Sequence, residues 1–437
     1  MQHYGPFVEN AKRILLSSEQ KFRHYILCLD ITDFRSFNHF YGFEAGSNFL
    51  LEIQEYLENL SQILLVRRFY SDCFLCLASS PAGLGDKELL AECRKYFSAF
   101  LTSRQEAYPA CTLKIACGVC TVEKKSPRSS ISSSLADAID GANAAQKESK
   151  KRGSHSPVLF DQDMSVRLSA QYAQEHANAL ALHENRFCFY LQPKVSLTTG
   201  KIVGAEALAR QKSPDGKIIP PDIFLPLMEA NGSVVELDRM ICAQVCAFLS
   251  QRLKNHLPAV PTSVNLSRIH IQNPSSADRF HGIAEHYGIP PRLLEFELTE
   301  TILLQEFSGA KQLIDRLRAL GHPVSIDDFG SGYAGMNIWQ ELTFDILKLD
   351  KNFLSQDPER SLRNEILIPH LIQIGRRLHT RILCEGVEDL SQCLYLKKLG
   401  CFLAQGYYFS PPVPPDIFYT YYENHSKLIP CSAYPKD

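Results

Sequence analysis

The stretch PVSIDDFG, residues 323–330, carries the pattern that decides the fold of the C-terminal half. A short apolar run ends in two adjacent aspartates and a glycine, which is typical of a buried strand followed by a turn with polar groups. The next such run, DILKLD at residues 345–350, carries a lysine near its carboxyl end. Apolar runs of this kind, separated by amphipathic segments, predict repeated β/α units.

The same pattern of short apolar runs recurs along the chain from residue 187 onward. The strand-like runs are FCFYLQP, IVGAEALAR, TSVNLS, LLEFELTE, PVSIDDFG, DILKLD, RILCEGVE and a last one near residues 402–405. About eight runs in roughly 240 residues have the size and rhythm of a TIM-like (β/α)8 barrel.

Polar side chains stand in or directly after these runs: Glu206, Asn265, Glu297, Asp327, Asp328, Lys348 and Glu385. In a parallel barrel the carboxyl ends of the strands meet at one mouth, so we expect these groups to converge. An oxygen-rich donor set favours Mg²⁺ or Mn²⁺ over zinc, and two such ions are typical of phosphoester hydrolysis. Taken singly, Glu206 is also explained as a buried acid with a partner, and Asp327-Asp328 as a turn with a helix cap.

Eight short motifs follow one another in a fixed order, and such a series identifies a family far more specifically than any single motif. The motifs are QPKV (192–195), GAEALAR (204–210), VNLS (264–267), ELTE (297–300), DDFGSGY (327–333), LKLD (347–350), EGVE (385–388) and QGY (405–407). Over about residues 180–415 the chain resembles the EAL family of phosphodiesterases, barrel enzymes that use divalent metals to open cyclic di-GMP to linear pGpG.

The resemblance implies roles for individual residues. Glu206, Asn265, Glu297 and Asp327 are expected to hold one Mg²⁺ or Mn²⁺, and Asp327, Asp328 and Glu385 the second. The resemblance implies that Lys348 orients or deprotonates the attacking water. Gln192, Arg210 and Gln405 are expected to contact the dinucleotide or lie beside the metals. A further group of residues is expected to shape the metal site and respond to dimer contacts: Glu300, Phe329, Gly330, Ser331, Gly332, Tyr333 and Glu388.

The N-terminal half alternates helices and strands, including a helical stretch from about residue 44 to 60, which predicts an α/β or α+β domain. The segment LDITDFRSFNHFYGFEAG (29–46) resembles the GGDEF family of diguanylate cyclases, and this resemblance implies the palm-like α+β form. The signature hairpin of that family is altered here and reads Tyr70, Ser71, Asp72, Cys73 and Phe74. The bulk at residues 70–71 and the loss of an acidic residue at Cys73 predict no cyclase activity. GTP binding in a regulatory role stays open beside a structural role.

We therefore divide the chain into an N-terminal helix (1–20), a degenerate GGDEF-like domain (21–162), a connecting helix (163–184) and an EAL domain (185–437). The resemblance also implies a homodimer through the EAL domain. Two alternatives remain to an active phosphodiesterase. One is an inert cyclic di-GMP receptor or scaffold, and the other is a hydrolase of a different phosphoester.

The composition of the chain limits which classes of partner and which compartment are expected. The formal net charge of −2 provides no global basic field, which argues against long nucleic acids. The sequence contains no run of about 18 apolar residues, so no membrane span is predicted. The N-terminus lacks signal-peptide features. We therefore expect a cytoplasmic protein whose 14 cysteines are reduced. The spacings Cys73/Cys76 and Cys117/Cys120 lie in β-like stretches, where positions three apart face opposite sides, so buried thiols are favoured over zinc.

Overall fold

A computed structural model describes residues 5–18, 21–122, 131–153, 156–330, 337–354 and 357–424. The chain divides into two compact units, an N-terminal unit (Met1–Gln171) and a C-terminal unit (Tyr172–Asp437). Among the described residues, no helix combines the length and the apolar character that crossing a membrane requires.

The N-terminal unit is built on a five-stranded sheet in the order β2-β3-β1-β4-β5, antiparallel except for the β4–β5 pair. Its strands are β1 (Phe22–Thr32), β2 (Ile63–Tyr70), β3 (Cys73–Pro81), β4 (Lys114–Thr121) and β5 (Val158–Leu159). The helices are α1 (Gly5–Ser17), α2 (Phe34–Glu58), α3 (Asp86–Gln105), α4 (Ile131–Lys151) and α5 (Gln162–His183), which contains the boundary between the units.

Both faces of this sheet are covered, because alternate strand residues point to opposite sides. Leu27 and Leu29 pack into one core with residues of α2 and α3, whereas Ile26 and Cys28 pack into another with α1 and α4. This arrangement confirms the predicted α+β domain. Cys73 and Cys76 also lie in different cores, as strand spacing predicts.

Helix α2 begins at Phe34, well before the predicted start near residue 44. Gly42 interrupts the helical geometry with φ 85°, a left-handed value that glycine adopts readily. The sequence pattern therefore revealed only the part of the helix that follows this kink.

The C-terminal unit contains a closed barrel of eight strands with one additional short strand, β8. The strands are β6 (Phe187–Ser196), β7 (Ile202–Lys212), β8 (Ile218–Ile219), β9 (Thr262–Asn265), β10 (Leu294–Thr299), β11 (Val324–Phe329), β12 (Ile346–Leu349), β13 (Arg381–Cys384) and β14 (Leu403–Ala404). The helices are α6 (Pro221–Asn231), α7 (Val234–Lys254), α8 (Ser276–Tyr287), α9 (Glu300–Gln305), α10 (Phe307–Ala319), α11 (Asn337–Glu341), α12 (Pro358–Arg377), α13 (Leu390–Leu399) and α14 (Pro415–Asn424).

The predicted barrel is confirmed, with one difference in strand direction. Neighbours from β7 through β9 to β14 are parallel, but β6 is antiparallel to both β7 and β14. A short connection joins β6 to β7, and strands joined so closely must run in opposite directions. Gln192 of β6 therefore reaches the barrel interior from mid-strand, directly opposite Glu206.

Alternation along each strand separates an apolar layer from a polar interior. In β11, Val324 and Ile326 pack in the core between the barrel and its helices. Ser325 and Asp327 point to the other side, into the barrel. The polar residues of each short run are thereby collected inside the barrel.

Candidate active site

The centre of the site is the ammonium of Lys348 on β12, whose side chain is fully buried. Its Nζ contacts Glu206 Oε2 at 3.1 Å, Glu297 Oε2 at 2.9 Å, Asp327 Oδ2 at 3.0 Å and Glu385 Oε1 at 2.8 Å. These five residues lie on, or directly after, five different strands of the barrel. The predicted convergence at strand ends is therefore seen directly for this set.

Asp327 and Asp328 approach the same point although neighbours in a regular strand face opposite sides. The register between β11 and β12 shifts between Ile326 and Phe329, and Asp328 has φ 57°. This left-handed backbone and local bulge turn the Asp328 carboxylate toward Glu385 and Asp327, whose oxygens lie within 4.8 Å of one another and of it. A second carboxylate triad thus adjoins that of Glu206, Glu297 and Asp327.

Two amide side chains hold Glu206, and a third is linked to one of them. Asn265 Nδ2 donates to Glu206 Oε1 at 3.2 Å, and Gln405 Nε2 donates to Glu206 Oε2 at 2.7 Å. Gln405 also donates to Gln192 Oε1 at 2.9 Å, and Gln192 in turn donates to the carbonyl of Ser410 at 3.2 Å. The orientation of Glu206 is therefore fixed from several sides. Gln192 lies within this network through Gln405.

A second buried lysine was missed by the sequence reasoning. Lys194 Nζ contacts Glu295 Oε1 at 2.9 Å and Glu297 Oε1 at 2.7 Å. Glu297 therefore bridges the two lysines, one through each oxygen. A signal existed, because Glu295 and Glu297 are two apart on one strand and share a face, and Lys194 interrupts an apolar strand.

The same surroundings shift the carboxyl groups in opposite directions. Burial favours neutral Glu297, but Lys194 and Lys348 outweigh burial and hold the pKa of Glu297 well below its ordinary value. Burial outweighs Lys348 at Glu385 and raises its pKa to about 8. Burial and then Asp327 raise the pKa of Asp328 to about 6. Although burial opposes its charge, the carboxylates, Asp327 first, raise the pKa of Lys348 well above its ordinary value.

The donor set fits hard divalent cations. Six carboxylates stand against two ammonium groups: Glu206, Glu295, Glu297, Asp327, Asp328 and Glu385 against Lys194 and Lys348. This excess of negative charge disfavours ionisation of Asp328 and Glu385 unless further cations are supplied. Gln405 Oε1 is also buried with no hydrogen-bond partner among the described residues. Carboxylate and amide oxygens are the ligands preferred by Mg²⁺ and Mn²⁺.

The loop after β11 is tied to the site at its first residues. The backbone N–H of Gly330 donates to Glu300 Oε2 at 2.6 Å, and Phe329 is buried. Gly330 has φ 94°, and an added Cβ there would meet the ring of Phe353 at 2.4 Å. Ser331, Gly332 and Tyr333 lie outside the described residues. Glu388 is exposed, and its backbone N–H donates to Gln392, so the structure does not bring its side chain into the cluster.

A cavity of about 490 Å³ opens beside Asn265. Its lining combines apolar side chains such as Leu225 and Ile302 with three charged groups, Glu229, Asp238 and Arg268. The sequence reasoning missed these charged groups because they lie on α6, α7 and a 3-10 turn (Arg268–Gln272) and not at strand ends. Arg210 lies elsewhere on β7, where its guanidinium covers the ring of Tyr190 at 5.4 Å and donates to the carbonyl of Ala209.

In the N-terminal unit a tight hairpin links β2 to β3. Tyr70 pairs with Cys73 across a turn formed by Ser71 and Asp72, and Ser71 has φ 50°. Asp30 on the neighbouring strand makes an ion pair with Lys150 of α4 at 2.7 Å. Phe74 is fully buried, whereas Cys73 is half-buried. No group of three metal-ligating side chains was found here among the described residues.

Two family models match the chain. The model described as "EAL domain" matches residues 174–412, and the model described as "Diguanylate cyclase, GGDEF domain" matches residues 7–156.

Three of the similar curated proteins have names that include cyclic di-GMP phosphodiesterase. Cyclic di-GMP phosphodiesterase NbdA of Pseudomonas aeruginosa is 32% identical over 277 residues, which are 63% of this chain and 35% of that protein. The probable cyclic di-GMP phosphodiesterase PdeB of Escherichia coli is 35% identical over 246 residues, 55% of this chain and 46% of that protein. The bifunctional diguanylate cyclase/cyclic di-GMP phosphodiesterase MucR of P. aeruginosa is 26% identical over 414 residues, 94% of this chain and 58% of that protein. This chain therefore spans about a third to three fifths of the length of these relatives.

Solved structures resemble the C-terminal unit. The PaMucR phosphodiesterase in complex with c-di-GMP is 28% identical with a TM-score of 0.52, covering 56% of this chain and 99% of that one. The FimX EAL domain of P. aeruginosa bound to c-di-GMP is 25% identical with a TM-score of 0.50, covering 55% of this chain and 96% of that one.

Proposed function

This chain belongs to the EAL domain family, and on that premise we propose that its C-terminal unit hydrolyses one phosphodiester bond of cyclic di-GMP to give linear pGpG. The carboxylate cluster centred on Lys348 carries the proposal. Acidic groups at this density, buried and tied to strand ends, are typical of a site for divalent cations and phosphoesters.

We assign two divalent cations, Mg²⁺ or Mn²⁺, to this cluster. Glu206, Asn265, Glu297 and Asp327 would hold one ion. Asp327 and Asp328 would hold the other together with Glu385, directly or through water. When bound, such ions supply activation of water and stabilisation of the leaving oxygen.

The chain's own groups prepare the site for that chemistry. Lys348 carries a fixed positive charge within 3.1 Å of four carboxylates, so it orients the attacking water and offsets negative charge that develops on the phosphate. The surrounding carboxylates, Asp327 first, raise the pKa of Lys348 well above its ordinary value, and removal of a proton from the attacking water stays open beside the orienting role. Gln405 and Asn265 keep Glu206 in place by hydrogen bonds to its two oxygens.

Substrate binding is assigned to the surroundings of the cluster. The cavity beside Asn265 offers apolar walls with Arg268, Glu229 and Asp238, a lining that suits a purine base with its polar edge. Glu206, Leu208 and Arg210 lie on the same face of β7, because alternate strand residues point to the same side. The guanidinium of Arg210 is suited to bind a phosphate of the substrate. Gln192 assists through its hydrogen bond with Gln405.

The remaining assignments extend the same proposal. Glu300, Phe329 and Gly330 shape the metal site at the end of β11. The chain acts in the cytoplasm as a homodimer through its EAL domain, which sedimentation velocity of the purified protein would test. For the N-terminal unit we propose a regulatory or structural role without cyclase activity, because Ser71 and Cys73 replace residues that the cyclase signature uses. The alternative of GTP binding is tested by calorimetry with GTP.

The deciding experiment incubates the purified chain with cyclic di-GMP and Mg²⁺ or Mn²⁺, with and without EDTA, and separates the products by chromatography. We expect pGpG to form only when the metal is present. Binding of intact cyclic di-GMP without any product would instead establish a receptor. Hydrolysis of other phosphodiesters at an equal rate would contradict the assigned substrate.

A further inference from the structure

Two cysteines of the N-terminal unit meet at the β2–β3 hairpin. Cys28 lies on β1 and Cys73 is the first residue of β3, and their sulfur atoms are 3.9 Å apart. In the register of the two strands Cys28 is opposite Leu75 and Asp30 is opposite Cys73. The cysteines are therefore diagonal neighbours, two positions apart on the same face of the sheet.

The two thiols differ in their surroundings. Cys28 is buried, and its Sγ donates to Asn143 Oδ1 at 2.8 Å. Cys73 is half-buried and follows the two-residue turn of Ser71 and Asp72, so small reagents reach it. When the single S–H of Cys28 turns from Asn143 to Cys73, its hydrogen bond lowers the pKa of the Cys73 thiol against the effects of burial and of Asp30. Cys73 is thus the accessible nucleophile and Cys28 the thiol behind it.

We propose that Cys28 and Cys73 form an oxidisable dithiol that a hydroperoxide converts to an intramolecular disulfide. A disulfide bond is ~2.05 Å long, so the sulfurs must approach by roughly 1.9 Å from their 3.9 Å separation. Cys73 pairs with Asp30 on β1 and with Tyr70 on β2, next to a register irregularity between Arg68 and Tyr70, so rotation of the two side chains and a small shift at this irregularity bring the sulfurs together.

The oxidation proceeds in two balanced steps. The Cys73 thiolate attacks the peroxide, the O–O bond breaks, and a sulfenic acid forms with release of water once a proton is taken up. The Cys28 sulfur then attacks the sulfenic sulfur, an S–S bond forms, the S–O bond breaks, and a second water leaves. Two thiols lose two electrons in total, and hydrogen peroxide is reduced to two waters.

A second pair of touching cysteines provides an internal control. Cys242 and Cys246 are one turn apart on α7 and share a hydrogen bond, but both are fully buried. Contact between thiols is therefore common to both pairs, whereas access for an oxidant is found only at Cys73.

The test uses the full chain treated with one equivalent of hydrogen peroxide, followed by alkylation of the remaining thiols and peptide mass spectrometry. We expect a Cys28–Cys73 linked peptide that dithiothreitol removes, at least about tenfold more abundant than any Cys242–Cys246 linkage, because access governs thiol oxidation. In Cys28→Ser the sulfenic acid of Cys73 should accumulate and be trapped by dimedone. Cys111→Ser removes another half-buried cysteine of this unit and should leave the linked peptide unchanged.

The wild-type result alone decides the proposal, whether or not a variant folds. Alkylated Cys73 after peroxide treatment overturns it, and so does a Cys73 that advances to sulfinic acid without linking to Cys28. Equal linkage of Cys73 to Cys76 or Cys117 also overturns the assigned pairing.

Discussion

In the barrel interior and beside the β2–β3 hairpin, a lysine lies against a carboxylate. The surroundings of these two sites differ. Lys348 meets its carboxylates at 2.8–3.1 Å with side-chain exposures between 0% and 20%, whereas Lys150 meets Asp30 at 2.7 Å with exposures of 52% and 21%. The distances are alike, so distance does not distinguish the two sites. Water screens the exposed pair, whereas each buried charge depends on its neighbours for compensation.

The two sites therefore differ in how far each charge depends on its neighbours. In the barrel, removing Lys348 takes the contact to an ammonium group from Glu206, Asp327 and Glu385, so the set depends on this central charge. Next to the hairpin, β2 and β3 are paired and the neighbouring Lys150–Asp30 ion pair is partly exposed to water.

The largest effect is expected for Glu206→Ala. This change removes a proposed metal ligand, so hydrolysis of cyclic di-GMP should fall to background. Lys348 keeps three carboxylate partners, Glu297, Asp327 and Glu385, so the fold should remain intact. Chromatography measures pGpG, and circular dichroism measures the fold. The matched control is Glu285→Ala, which removes an exposed carboxylate of α8; near-normal turnover in Glu206→Ala would contradict the assigned role.

Lys348→Met tests the central charge. Its kcat should fall by about 10²–10³-fold with a smaller change in substrate affinity, because a fixed charge acts on the developing phosphate charge. Without metal, four carboxylates lose their shared partner, and the free energy of unfolding should fall by about 3–5 kcal/mol.

Urea unfolding with and without Mn²⁺ separates these two effects. Added Mn²⁺ should restore much of the stability of Lys348→Met but little of its rate, since a bound cation replaces the charge and not the position of the ammonium. A variant that is as stable as the wild type without metal would show that burial does not make this pair different from Lys150 and Asp30.

Lys194→Met tests whether Lys194 positions Glu297, a proposed metal ligand, through the oxygen that does not contact Lys348. Lys194 holds Glu297 Oε1 but does not touch the second triad, so we expect kcat and Mn²⁺ affinity each to fall by about 10–100-fold. Titration calorimetry measures the metal affinity independently of turnover. Lys194→Arg keeps the charge and should recover part of both. Unchanged Mn²⁺ affinity in Lys194→Met would limit Lys194 to a structural role.

The strand ends that form the barrel mouth could be predicted from sequence, because each apolar run closes on its own polar residue, as PVSI does on Asp327. Other features depend on contacts that no single run contains. The turn of Asp328 into the site follows from a register shift against β12, and the cavity residues come from helices. The meeting of Cys28 with Cys73 depends on the pairing of β1 with β3.

The smallest effect is expected for Lys150→Ala. The exposed pair with Asp30 is screened by water, so its loss should lower the free energy of unfolding by about 0–1 kcal/mol. Hydrolysis of cyclic di-GMP should be unchanged, because neither residue belongs to the barrel cluster. Urea unfolding of the full chain at low and high salt measures the cost, with Arg152→Ala as the control for loss of a neighbouring exposed charge. A loss comparable to that of Lys348→Met would mean that the hairpin site is held by its charges after all, and that burial alone does not separate the two regions.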